Sequence, residues 1–236
     1  MQTLAVISRK GGVGKTTLSV NLAVAAHGAG LKTVVADLDS QRSASAWAKA
    51  RRRDGPAVVE ATAGKIFPLW SAAANARVEL MVIDTPATPE SDVLQAVRLA
   101  DLCVLVTRPN AFDLNALRVS VEMLGHLGKP GVIVLNQAPF RRMGVEAPAV
   151  QRAVETLRDC GLPLMRTGLR HRAIFSNAAE QGLAAAELDP QSPAAREIAG
   201  VWDQIAGILG REHEGVRYTG ALPAIQAIRE QAGLPA

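Results

Sequence analysis

Aromatic side chains are scarce in this sequence: four Phe, three Trp and one Tyr among 236 residues. The core must therefore be built from Ala, Val, Leu and Ile. Cysteine is scarcer still. Cys103 sits in an apolar run and Cys160 near a helix end, which gives neither a disulfide framework nor metal-ligand spacing and fits a reducing compartment. No run is long and apolar enough to span a bilayer. The amino terminus reads at once as a strand, not as a basic, apolar and small-residue signal, so the chain is expected in the cytoplasm. Internal repeats and low-complexity linkers are missing too. Charge of neither sign dominates: 26 Lys+Arg against 22 Asp+Glu leave +4. The sequence pI of about 9.4 admits a polyanionic partner without naming one.

What is present is a hydrophobic fraction of 48%, enough for one sizeable domain, read as residues 1–210, with a tail at 211–236. The stretch that organises the chain is Arg9-Lys10-Gly11-Gly12-Val13-Gly14-Lys15-Thr16-Thr17. The apolar run Leu4–Ser8 before it suits a buried parallel strand, and Leu18–Ala25 behind it has helical spacing. Strand, glycine-rich loop and helix in direct succession aim backbone N–H groups and a positive helix end at an anion such as a nucleotide phosphate. Lys15 would reach the terminal phosphates and the Thr16 hydroxyl would ligate magnesium. An ordinary loop of this kind has glycine where Arg9 stands.

With Lys10 preceding Gly11-Gly12, two lysines bracket the loop, and the stretch resembles the deviant Walker A motif of the ParA/MinD ATPases. The resemblance implies that Gly11, Gly12, Val13, Gly14, Lys15, Thr16 and Thr17 cradle ATP and that Lys10 crosses a dimer interface to the partner's nucleotide. Asp37-Leu38-Asp39-Ser40-Gln41-Arg42-Ser43 resembles the family's first switch, with Ser40 for its proline and Arg42 for its glycine. That assigns Asp39 to orienting the attacking water; the alternative is a helix cap. The apolar strand ending at Asp84-Thr85-Pro86-Ala87 resembles a Walker B strand and second switch, with Asp84 holding magnesium through water. Asn136, ending a later strand, matches the family's adenine-contacting asparagine, or is a turn residue. The segment Gly168–Phe175 resembles the one that wraps the base.

Apolar strands alternate with helical segments along the chain, which argues for an α/β fold with a mostly parallel central sheet and helices on both faces; the resemblance implies that this fold is a P-loop NTPase. Expected late features are a short edge strand at 162–167 and a final helix capped by Ser192. An apolar stripe of Ile198, Val201, Trp202, Ile205 and Ile208 would pack that helix into the core. Arg51-Arg52-Arg53 reads first as a solvated helix end and second as a phosphate contact. The tail 211–236 reads as a short docked helix; its lack of a basic polar face argues against a membrane anchor.

The resemblance implies a ParA-type partition ATPase lacking the amino-terminal DNA-reading domain of larger relatives. With ATP and Mg2+ it would form a homodimer and bind DNA without sequence preference. A ParB-type centromere-binding protein would stimulate hydrolysis, moving plasmid or chromosome cargo on the nucleoid. Arg141, Arg142, Arg166, Arg170 and Arg172 are the candidate DNA contacts, since phosphate binding needs no strict motif. A MinD-like membrane-positioning ATPase and a metabolic P-loop kinase are the competing readings; no acceptor site for the latter is legible. The two cysteines do not resemble the cluster ligands of nitrogenase-iron-protein-like reductases.

Overall fold

The computed structural model describes residues 1–88 and 90–210. The tail, on which the docked-helix reading and the argument against an anchor rest, lies outside the described residues. Six strands form one parallel sheet: β1 (Gln2–Ile7), β2 (Thr33–Asp37), β3 (Ala57–Glu60), β4 (Leu80–Asp84), β5 (Leu102–Thr107) and β6 (Gly131–Leu135), in the order β3-β2-β4-β1-β5-β6. Each is a short Val/Ile/Leu-rich run buried almost throughout, as a strand covered on both faces requires.

Side chains alternate between two layers. Ala5, Ile7, Met81, Ile83, Leu105 and Ile133 pack against α3 (Ile66–Asn75), α4 (Glu90–Leu99), α5 (Ala111–Leu127) and α6 (Pro148–Arg158). Leu4, Val6, Val82, Val104 and Val134 meet α1 (Lys15–Gly28), α2 (Ser43–Ala50) and α9 (Pro193–Ile208) on the other face. Two short helices, α7 (Ala173–Ala179) and α8 (Ala185–Leu188), precede α9. Ser192 caps α9, its Oγ accepting the Ala195 N–H at 3.1 Å, with Pro193 in the first turn.

Three local readings change. The expected strand at 162–167 is one bridge, Leu164 beside Ile133. Pro163 accepts through its carbonyl but has no N–H to extend the ladder. In the α9 stripe Ile198, Val201, Trp202 and Ile205 are core, whereas Ile208 in the last turn is exposed. Arg51 is no solvated helix end. It stacks 4.9 Å over Trp47, donates to the carbonyls of Gly55 and Gly182, and pairs with Glu187 at 2.7 Å, its side chain only 5% exposed.

Candidate functional site

β1 lies at the middle of the sheet with β4 and β5 beside it, so the loops leaving the carboxyl ends of β1, β2 and β4 converge where ligands bind in open α/β sheets. The loop after β1 needs its glycines. Gly12 and Gly14 have φ of +70° and +90°, and a Cβ on Gly14 would lie 2.4 Å from Asn136 Nδ2. Leu18 N–H closes the first helical bond, to the Gly14 carbonyl at 2.9 Å. The amides before it are outside the helix ladder and carry the positive helix end.

Lys15 is buried, with Nζ donating to the Lys10 carbonyl at 3.3 Å. Burial pushes its pKa down, opposed by the carboxylates of Asp84 and Asp39. A buried ammonium with a neutral carbonyl partner gains from an anionic acceptor, the role a phosphate fills. Asp84, fully buried at the end of β4, accepts from Thr16 Oγ1 at 2.7 Å and Ser19 Oγ at 3.0 Å. Burial raises its pKa to about 7, with the Thr16 hydrogen bond opposing and Asp37 adding to the rise.

A hydroxyl and a carboxylate so placed suit a hard cation. Among the described residues no group of three or more His, Cys, Asp or Glu could hold a metal by itself. Thr16 and Asp84 therefore fit magnesium, which takes most of its ligands from phosphates and water.

The loop after β2 divides its work between two aspartates. Asp37 Oδ2 accepts the Ser45 N–H at 2.9 Å and its hydroxyl at 2.7 Å, so Asp37 stabilises the first turn of α2. The helix-cap alternative for Asp39 is thus filled by its neighbour. Asp39 accepts the Gln41 N–H at 2.9 Å. It lines a 410 Å³ cleft with Gly11, Gly12, Lys15, Thr16, Pro86 and Thr88. Three motifs separated in sequence share this one cleft.

Gly14 and Thr17 also line a second, 1080 Å³ cavity with Asn136, Phe140, His171 and Phe175. Both ends of the buried Asn136 amide meet backbone: Nδ2 donates to the Val13 carbonyl at 2.7 Å and Oδ1 accepts the Gln137 N–H at 2.8 Å. Gln137, at φ +51°, donates to the Gly12 carbonyl at 2.9 Å.

Of the five candidate arginines, Arg170 and Arg172 line this cavity. Arg170 pairs with Glu146 and donates to the Pro139 carbonyl; Arg172 pairs with Glu197 and stacks 5.0 Å over Phe140. Arg141 also reaches Glu146, while Arg142 and Arg166 are exposed.

Sequence reasoning passed over Ser19 and Gln137, and it placed Asp37 in the first switch without a role of its own. Ser19 was open to detection, since it lies three residues after Thr16 on one helix face. For Gln137 the left-handed backbone that aims it at Gly12 has no signature in an Asn-Gln pair.

The comparisons agree with this geometry. Residues 4–228 match the CobQ/CobB/MinD/ParA nucleotide-binding domain. The chain is 35% identical over 215 residues to a maintenance of carboxysome distribution protein A from Gloeobacter kilaueensis, covering 89% of this chain and 95% of that protein. The protein of the same name from Halothiobacillus neapolitanus is 28% identical, with 86% and 95% covered. The fold is similar to that of Pyrococcus horikoshii MinD complexed with Mg-ADP (TM-score 0.72, 18% identity, 89% and 97% covered). It is also similar to an ATP complex of a Cyanothece McdA variant (0.69, 15%, 90% and 97%). With the family matched over most of the chain, and the glycine-rich loop meeting the loops after β2 and β4 in one cleft whose Thr16 is held by the buried Asp84, this chain is an ATPase belonging to the CobQ/CobB/MinD/ParA nucleotide-binding domain family.

Proposed function

We propose that this protein is a ParA-type positioning ATPase. It closes into a homodimer on ATP, binds DNA without sequence preference in that state, and is released by hydrolysis that an adaptor protein on its cargo stimulates. The observation that carries this reading is the shared cleft of Lys15, Thr16, Asp39 and the second switch, with Lys10 leading the loop. The names of the two relatives concern carboxysome distribution, which favours a large protein-bounded cargo over a plasmid and an adaptor on that body over a ParB-type centromere-binding protein.

In this reading Lys15 and the loop amides bind the terminal phosphates, and Lys10 from the facing subunit adds positive charge where it develops during transfer. Asp39 accepts a hydrogen bond from the attacking water and holds it in line. Magnesium on Thr16 and, through water, on Asp84 would neutralise phosphate charge. Asn136 shapes the wall between the phosphate loop and the larger cavity, which is wide enough for a base. Exposed Phe112, Phe140 and Met143 follow β5 and β6 at the same sheet edge, apolar surface of the kind protein partners cover. Arg142, Arg166 and Arg141 present charge for phosphate contact, and Arg170 and Arg172 brace the segment behind them.

The test is retention of the purified protein on DNA of unrelated sequences, with ATP, with ADP and for Lys15→Gln. Retention should require ATP and Lys15 and should weaken steeply with salt. Equal retention with ADP, or by Lys15→Gln, contradicts the reading.

A further inference from the structure

Arg9, the residue standing where an ordinary phosphate loop has glycine, places Nη1 2.9 Å from a carboxylate oxygen of Glu90, the first residue of α4. These two residues flank the second switch from opposite sides. At its near end the switch is fixed to the phosphate loop and sheet: Asp84 accepts from Thr16 and Ser19, and Thr85 Oγ1 donates to the Val6 carbonyl at 2.8 Å. At its far end, ahead of the core residues Val93, Ala96 and Val97 of α4, Glu90 is tied to Arg9.

Ala87 and Thr88 also form a partition. One side faces the 410 Å³ phosphate cleft. The other faces a 250 Å³ cavity lined by Ile7, Arg9, Val93 and Met123. A switch segment backed by space instead of packed atoms can shift without dislodging the core, so what sets its resting position is the tie at its ends.

We propose that Arg9 is a positioning residue: through Glu90 it holds the second switch against the phosphate cleft, in register with the loop that binds the γ-phosphate. The inference rests on the ATPase reading for its kinetic consequence but not for its structural one. Both side chains are partly exposed, 38% and 51%, so the pair adds little to global stability. Its loss is felt in the placement of the switch.

The experiment compares Arg9→Ala, Glu90→Ala and the charge exchange Arg9→Glu/Glu90→Arg by hydrogen exchange without nucleotide and by steady-state ATPase kinetics. Each single variant should speed amide exchange in a peptide spanning residues 85–96 while leaving α5 unchanged. Each should lower kcat about fivefold, the scale of an exposed pair, with ATP affinity within about twofold of wild type. The exchanged pair should recover most of both. Unaltered exchange at 85–96 in the single variants, ATP affinity falling in parallel with kcat, or an exchanged pair as defective as the two singles combined overturns the proposal. If wild type showed no Lys15-dependent hydrolysis, the functional reading would fail, and the exchange comparison would still decide the role of Arg9.

Discussion

The Thr16 hydroxyl and the Asp84 carboxylate are joined by a 2.7 Å hydrogen bond that links the first turn of α1 to the end of β4. Thr16 lines the phosphate cleft, and Ser19 holds the other carboxylate oxygen of Asp84. Asp84→Asn keeps the shape and removes the charge. Magnesium-dependent nucleotide affinity should fall about 10–100-fold, the range for groups that act on a metal through water. Affinity measured in a chelator should hardly change. Calorimetric titration with and without magnesium separates the two, and an equal loss in both would remove Asp84 from the cation's surroundings.

Asn136 supports the phosphate loop from behind. Asn136→Ala leaves the Val13 carbonyl without its side-chain donor, a loss of about 1–3 kcal/mol when buried. Part of this should appear as nucleotide affinity weakened about tenfold. Gly14→Ala, with its Cβ driven onto the same amide and its backbone strained, should abolish binding. Titration with a fluorescent nucleotide measures both, and wild-type affinity in Gly14→Ala would contradict the loop geometry.

Arg51 and Glu187 join α2, which follows the first switch, to α8. Removing one partner of a buried pair strands the other charge, so Arg51→Ala should cost about 3–5 kcal/mol in urea unfolding. Arg52→Ala, on the exposed side, should cost little. Equal effects would restore the solvated-terminus reading of this cluster.

Glu146 lies between Arg170 and Arg141, and hydrogen bonding to Arg170 holds its pKa down at about 2, from an ordinary 4.5. A depressed carboxyl pKa stabilises the folded state above the unfolded value. The contribution is lost as pH falls from about 4.5 towards about 2, where both states bind the proton. The melting-temperature difference between wild type and Glu146→Gln should therefore be constant near neutrality and shrink below about pH 4.5. A difference that widened with acid would contradict the pairing.

Much of this site is legible in the sequence because phosphate chemistry demands contiguous residues: a strand, Gly11 to Thr17 and a helix must be neighbours along the chain. The parallel sheet follows from apolar runs alternating with helical segments. Less legible are contacts whose partners are distant in sequence. Nothing near Arg9 announces Glu90, nor does anything near Arg51 announce Glu187: Arg9 stands out only as the residue in place of a glycine, and Arg51 reads locally as ordinary surface charge. The Asp37–Ser45 contact escaped for another reason. Two aspartates two residues apart at a strand end look chemically equivalent, and only the path of the backbone sends Asp37 under α2 and Asp39 into the cleft. The overreading of Ile208 has a simple cause: after Ile205 the inward face continues at Leu209, which packs on the same core cluster and whose carbonyl accepts from Gln2, so Ile208 falls off the stripe.

The central claim is that two chains build each active site, with Lys10 serving the partner's nucleotide and Asp39 its own. Mixing Lys10→Ala with Asp39→Ala tests this directly by hydrolysis rate. Each variant alone should be nearly inactive. In the mixed dimer one site combines an intact Asp39 with Lys10 from the other chain, so mixing should restore activity towards about a quarter of the wild-type rate, because about half of randomly paired dimers are mixed and each has one complete site. A mixture no more active than its separate components would contradict the shared site and place Lys10 in its own subunit's chemistry or outside the chemistry altogether.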